Sequence, residues 1–91
     1  MPQDKDDAIE IARRDLAQRL KISESELATV SVEPVDFPDA ALGAPLEDEM
    51  SAQVITPGWR IILKARATNY EYRATARQLR LFHFNGANYR V

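Results

Sequence analysis

The sequence predicts an α+β fold in which one N-terminal amphipathic helix packs on one face of a four- to five-stranded antiparallel sheet. Apolar residues near the N-terminus recur at three- and four-residue spacing, which is the helical period. From residue 27 onwards they alternate with polar residues, which is the strand period. A helix followed by a run of strands is typical of α+β domains. The expected order is α-β-β-β-β within one domain of residues 1–91, with a C-terminal hairpin arm as an open alternative.

The helix is predicted over residues 4–21. Asp4 and Asp6 are both candidate N-caps, because a short acidic side chain can accept a backbone N–H at the start of a helix. Ser23 and Glu26 then match a capping box for a single short turn. The apolar face of the helix is formed by Ile9, Ala12, Leu16 and Leu20.

The first strand is predicted over residues 27–35. Its alternation places Ala28, Val30 and Val32 on one side, as in a half-buried strand. Pro34 is expected to end the pairing, because proline lacks the backbone N–H that a ladder requires.

Two further strands, residues 52–56 and 59–67, flank Pro57-Gly58. This dipeptide favours a type II turn, so we expect a hairpin there. In the second of these strands the odd-numbered residues are mostly apolar and form the predicted core face. They are Trp59, Ile61, Leu63, Ala65 and Ala67.

The remaining strands are predicted over residues 70–76, 79–84 and 87–91. Tyr70 and Tyr72 are expected to point inward with the alanines that follow them. Asn-Gly at positions 85 and 86 is a strong hairpin signal, because both residue types accept a positive φ. The last strand either pairs within the chain or offers its edge for dimerisation, so the protein is expected to be a monomer or a dimer through that edge.

A loop over residues 36–51 carries the leading functional hypothesis. It is long for a small domain, and loops of this length are usually functional or disordered. We therefore predict a non-enzymatic interaction or regulatory module that recognises an unknown protein through this loop. The alternative is that the loop packs back over one end of the core, and in both cases we expect Phe37 and Leu42 to anchor it. The candidate partner-binding residues are Phe37, Pro38, Asp39, Leu42, Gly43, Leu46 and Met50.

The charge distribution carries a second hypothesis. Residues 1–50 hold thirteen Asp and Glu against five Lys and Arg, whereas residues 51–91 hold one Glu against seven Lys and Arg. The two halves either pair with each other or leave a basic face for an anion or nucleic acid. Nucleic acid is the weaker prediction, because Trp59, Tyr70 and Tyr72 have inward parity and are not available to stack on bases. The candidate anion-binding residues are Arg60, Lys64, Arg66 and Arg73.

Several functional classes are excluded by composition. The chain has no cysteine and one histidine, His83, so we predict no cofactor, no metal site and no catalytic residues. No apolar run approaches the roughly 20 residues needed to span a bilayer. The expected location is the cytoplasm, unless a leader preceded residue 1.

Five segments resemble a widespread bacterial family of small uncharacterised domains. The resemblance covers roughly residues 8–76 and implies no catalytic residue and no known activity. The order of elements is also similar to PepSY and cystatin-like folds, and the cystatin likeness alone suggests a third hypothesis, inhibition of a peptidase by loop insertion. The matching motifs are A-x-x-D-L-A-x-x-L in the helix, V-E-P-V, F-P-D-x-x-L-G-x-P in the loop, P-G-W-R-I and Y-E-Y.

Overall fold

A computed structural model describes residues 4–91 and shows one helix followed by a five-stranded antiparallel sheet, which confirms the α+β fold. The strands follow one another across the sheet in chain order, so each pairs with its sequence neighbour. The elements are α1 (Lys5–Leu20), a 3-10 turn (Glu24–Glu26), β1 (Leu27–Phe37), β2 (Thr56–Ala65), β3 (Thr68–Ala74), β4 (Leu79–Phe84) and β5 (Ala87–Arg90).

Both ends of α1 are closed by local hydrogen bonds. The Asp4 side chain caps the first turn by accepting the Asp7 N–H at 2.8 Å. At the other end Lys21 adopts a left-handed conformation, and the Ile22 N–H returns to the Ala17 carbonyl at 3.0 Å. These caps satisfy backbone groups that the helix itself leaves unpaired.

The main core lies between α1 and one face of the sheet, which we call the inner face. Small residues on the helix let it approach the sheet closely. Ile61, Leu63 and Tyr72 lie beneath it and are fully buried. The buried helix residues are Ala8, Ala12, Leu16 and Ala17.

The predicted hairpin at Pro57-Gly58 is wrong. Both residues lie inside β2, where Pro57 pairs with Asp36 and Gly58 with Val35. Of the predicted strand 52–56, only residue 56 belongs to a strand. Pairing between β2 and β3 begins at Trp59, so Pro57 has one neighbouring strand and its missing N–H is tolerated.

Gly58 is required by a close approach and not by a turn. A Cβ placed on it would collide with the Ala74 carbonyl and lie 3.0 Å from the Phe37 ring. The glycine therefore lets the backbones of β2 and β3 and an aromatic ring meet at one point.

The prediction that Pro34 ends the first strand is also wrong. β1 continues to Phe37, and Pro34 pairs with Trp59. β1 is an edge strand, and an edge strand tolerates a proline whose nitrogen faces away from its single neighbour. The register shifts between Thr29 and Ser31, which leaves Val30 53% exposed and breaks the predicted alternation.

The C-terminal hairpin turns at Asn85 and Gly86, whose φ angles are 52° and 84°. Positive values at both positions are what a tight hairpin turn of the primed type requires. β5 pairs within the chain, next to β4, and forms the second edge of the sheet.

Candidate functional site

The loop between β1 and β2 runs from residue 38 to residue 55 and covers the outer face of the sheet, opposite α1. Its contacts on this face include Arg73 and Arg80, which pair across β3 and β4. Each alternates with a residue of the inner-face core, so both project outward. Four buried apolar residues form a second small core here, namely Phe37, Ala41, Leu42 and Ala44.

Asp39 organises the first turn of the loop. Its Oδ1 accepts the N–H groups of Ala41 and Gly43, both at 3.0 Å. Leu42 and Gly43 are both left-handed, with φ of 59° and 66°. A Cβ on Gly43 would lie 2.7 Å from Arg73 Nη1, so glycine also provides space for that guanidinium. The Phe-Pro-Asp-x-x-Leu-Gly motif therefore encodes a compact turn that buries Leu42.

Side chains of the sheet hold the loop by its carbonyl groups. The donors come from β3, β4, β5 and the turn before β4, and together they satisfy a run of loop backbone that has no strand partner. The loop is therefore a fixed part of the fold. The hydrogen bonds are Gln78 Nε2 to the Ala40 carbonyl (2.7 Å), Arg73 Nη1 to Leu42 (3.0 Å), Arg80 Nη1 to Ala44 (3.2 Å) and Asn88 Nδ2 to Pro45 (2.9 Å).

Arg80 and Glu49 form a two-pronged ion pair beneath the loop. The Nη1–Oε1 and Nη2–Oε2 distances are 2.6 and 2.8 Å, and Arg80 is 2% exposed. The hydrogen bond from Arg80, and then that from the Leu46 N–H, lower the pKa of Glu49 from 4.5 to about 2. The positive charge of Arg90 acts in the same direction.

The arginines predicted to form a basic face are not a single free surface. Arg60 and Arg73 both donate to Glu71, at 3.3 and 2.7 Å. Arg73 also stacks on the Phe82 ring at 3.7 Å. Arg66 lies in the β2–β3 turn, where its side chain is 77% exposed and 3.9 Å from a Glu26 oxygen. Lys64 is exposed on β2.

The predicted loop residues divide into buried and exposed groups. Phe37 and Leu42 are buried, Leu46 is half-buried, and Asp39 and Gly43 form the turn described above, while Pro38 is exposed. Met50 is 97% exposed.

Three large apolar side chains in the last part of the loop are exposed, those of Met50, Val54 and Ile55, and we call this segment, residues 50–55, the apolar tip. Val54 and Ile55 are 57% and 69% exposed. The sequence pattern does not reveal these two residues as exposed, because it predicts a paired strand over residues 52–56. The Ala40 N–H donates to the Ala52 carbonyl at 3.0 Å, which fixes the segment just before these two residues.

A surface cavity of about 440 Å³ lies beside the tip. Met50, Glu49, Arg77, Arg80 and Arg90 contribute to its lining. Arg77 and Arg90 are exposed, and within residues 4–91 neither guanidinium has a hydrogen bond or an ion pair. Local pattern could not group these arginines, because the turn before β4, β5 and the loop meet only in the folded chain.

A second polar network joins α1 to the sheet. The Tyr72 hydroxyl donates to Asp15 Oδ2 at 2.7 Å, and Arg19 Nε donates to the same oxygen at 2.7 Å. The Arg19 guanidinium also lies over the Tyr89 ring, 4.6 Å from its centroid. Burial, and then the hydrogen bond to Asp15, raise the pKa of the Tyr72 phenol far above its usual value. The neutral phenol acts here as a donor that fixes the helix on the sheet.

No group of three or more His, Cys, Asp or Glu side chains in residues 4–91 is arranged to hold a metal ion. In the same part of the chain, no helix has the length and apolar composition needed to cross a bilayer.

Comparison with known proteins gives one match. A family model described as a domain of unknown function (DUF8738) matches residues 9–82, which include most of α1, then β1, the loop, β2, β3 and most of β4. Searches of curated proteins and of solved structures returned no match.

Proposed function

The chain belongs to the DUF8738 family, and from its surface we propose that it is a non-enzymatic protein-interaction module that presents the apolar tip of its loop to a partner protein. The observation that carries the proposal is the exposure of Met50, Val54 and Ile55 within one short segment. Several exposed large apolar side chains within six consecutive residues are typical of an interaction segment rather than of singly scattered surface residues.

The rigidity of the loop supports the same proposal. The tip follows a turn fixed by Asp39 and an ion pair between Arg80 and Glu49. A loop that is already ordered loses little conformational entropy on binding, so more of the contact energy appears as affinity. The buried Phe37 and Leu42 would then support the tip from beneath rather than contact the partner.

The other hypotheses receive less support. In the predicted basic face, Arg60 and Arg73 share Glu71, which neutralises part of its charge. Phosphate binding through charge would need those guanidinium groups to be available. Peptidase inhibition rests on a likeness of element order alone, and no contact described above favours it.

The test is quantitative affinity capture with the wild type and a tip variant, Met50→Asp, Val54→Asp and Ile55→Asp. All three positions are exposed, so the variant should unfold at nearly the same temperature as the wild type. We expect one stoichiometric protein to be captured by the wild type and lost by the tip variant. A matched control, Ala28→Asp, Val30→Asp and Ala67→Asp, adds the same charge at exposed positions elsewhere. Equal capture by the tip variant and the wild type would refute the proposal.

A further inference from the structure

The cavity beside the apolar tip has the size and the charge of a subsite. Its volume of about 440 Å³ falls within the range of pockets that hold small groups. Three arginines and one glutamate line it, so it carries a net charge of two positives. Met50 belongs both to this cavity and to the tip, which makes the two features continuous.

The positive charge is available to a ligand. Glu49 is the single carboxylate in the cavity lining, and its two oxygens already accept from Arg80 and from the Leu46 N–H. The charge of Arg90 helps to lower the pKa of Glu49, yet no salt bridge joins the two. Arg77 and Arg90 therefore retain unused donors on two guanidinium groups, which match the geometry of a carboxylate.

The framework of the cavity is already built. Arg80 Nε donates to Gln78 Oε1 at 2.9 Å, and Gln78 in turn holds the Ala40 carbonyl. Arg90 lies opposite Arg80 in the β4–β5 register. Arg77 follows Thr75, whose Oγ1 accepts the Arg77 N–H at 3.0 Å. The backbone positions of both free arginines are thus set by the sheet.

We infer that this cavity binds a carboxylate of the partner, so that the partner segment is acidic as well as apolar. An Asp or Glu side chain lies between Arg77 and Arg90, while a neighbouring apolar side chain contacts Met50. The inference rests on the proposed function, since it names the chemistry of the partner that the apolar tip recognises.

A carboxylate fits the cavity better than a nucleic acid. Its lining includes no aromatic ring on which a base could stack. The first fifty residues carry a large excess of acidic side chains, which repel a polyanion but leave a single carboxylate little affected. Two free guanidinium groups are enough for one carboxylate, whereas a nucleic-acid site needs an extended row of cations.

The experiment selects ligands from a library of short random peptides displayed on phage. The baits are the wild type, a cavity variant (Arg77→Gln and Arg90→Gln) and a tip variant made neutral (Met50→Ser, Val54→Ser and Ile55→Ser). Lys64→Gln with Arg66→Gln is the matched control, because it removes two exposed positive charges, one near the end of β2 and one in the β2–β3 turn. The most enriched peptide and its Asn/Gln counterpart are then synthesised and titrated by calorimetry against each folded bait.

We expect the wild type to enrich peptides with Asp or Glu next to a large apolar residue. The amide counterpart should bind the wild type at least about tenfold more weakly, and the cavity variant should bind both peptides with equal, weak affinity. The matched control should keep the preference for the acidic peptide.

The other outcomes overturn one idea or both. If the wild type enriched apolar peptides that show no preference for Asp or Glu, and the cavity variant bound them equally well, that result would refute the carboxylate site and leave the proposed function unaffected. An acidic preference that survives in the cavity variant would also refute it. Equal binding by the tip variant, or no enrichment by the wild type, would refute the proposed function as well. Binding of a fluorescent oligothymidylate that is lost in the cavity variant would assign the cavity to nucleic acid instead.

Discussion

The ion pair beneath the loop gives the sharpest prediction, through the substitution Glu49→Gln. Glutamine has nearly the same shape and can still accept one hydrogen bond, but it removes the negative charge that faces Arg80. Arg80 is 2% exposed, so without the Glu49 carboxylate its charge is buried beneath the loop with no counter-ion. Unpaired buried charges are strongly destabilising, so the loop should loosen and the free energy of unfolding should fall.

The size of the effect follows from the pKa of Glu49. A pKa lowered from 4.5 to about 2 corresponds to roughly 3 kcal/mol of stabilisation of the carboxylate form. The Glu49 side chain remains 22% exposed, and solvent screening reduces this to about 1–2 kcal/mol. A loss of that size lowers the melting temperature of a domain this small by roughly 4–16 °C.

The sign of the pH dependence is also determined. The pKa of Glu49 is lower in the folded state, so the contribution is complete above the unfolded value of 4.5 and is lost as the pH falls towards 2. The assay is urea denaturation of the wild type and Glu49→Gln at pH 7 and at the lowest pH where both fold. The difference should be about 1–2 kcal/mol at pH 7 and should shrink in acid.

The control for this experiment is Glu47→Gln, which removes an exposed carboxylate two residues away. It should change the free energy of unfolding by less than about 0.5 kcal/mol. A difference between the wild type and Glu49→Gln that stayed constant with pH, or that matched the Glu47→Gln value, would show that the ion pair does not hold the loop.

Three further substitutions test the contacts that shape the site. Gly58→Ala should cost about 2–4 kcal/mol in urea denaturation, because its Cβ meets the Ala74 carbonyl. Tyr72→Phe should cost about 1–2 kcal/mol by removing the hydrogen bond to Asp15, and it should leave the ultraviolet titration of the folded protein unchanged up to pH 11, since the pKa of this phenol is raised. Asp39→Ala should cost about 1–3 kcal/mol and speed proteolytic cleavage within the loop, because two N–H groups lose their acceptor.

For each of these three substitutions, one result would contradict the prediction. Gly86→Ala meets no atom within 4 Å, so its cost comes from its positive φ alone, about 1–2 kcal/mol, and should stay below that of Gly58→Ala. A cost of Gly58→Ala below about 1 kcal/mol would deny the close approach. If Tyr72→Phe showed less phenolate absorbance than the wild type below pH 11, the Tyr72 phenol would be ionising in the folded protein. Cleavage of Asp39→Ala at the wild-type rate would mean that its turn is not held by this side chain.

The spacing of apolar residues along the chain was enough to predict the helix and to predict which strand residues face the core. The apolar spacing of Leu16 and Leu20 and the alternation through Ile61 and Leu63 depend only on the geometry of a helix and of a strand. The turn at Asn85 also followed from local chemistry, since Asn-Gly accepts the required positive φ angles.

The tertiary structure decided how the prolines and glycines are used. Pro57-Gly58 has the composition of a turn, yet both residues lie inside β2. Pairing with β3 begins only at Trp59, so Pro57 has no neighbour on that side, and the approach of the Ala74 carbonyl requires glycine at position 58. Pro34 stays in β1 because that strand lies at an edge. The residue types of a dipeptide limit the backbone conformations it can adopt, and the strands that pair with it determine which of these occurs.

The candidate site depended on tertiary structure in the same way. The sequence predicted a long loop anchored by Phe37 and Leu42, and both are buried, but it did not reveal which of the other loop residues would be exposed. That division depends on Arg73 and Arg80, which hold loop carbonyls more than thirty residues away in the chain. Residue types and their spacing thus determined the helix, the inner-face alternation and the existence of the loop. Long-range packing determined the exposed tip and its cavity, because only the folded sheet brings those distant groups together.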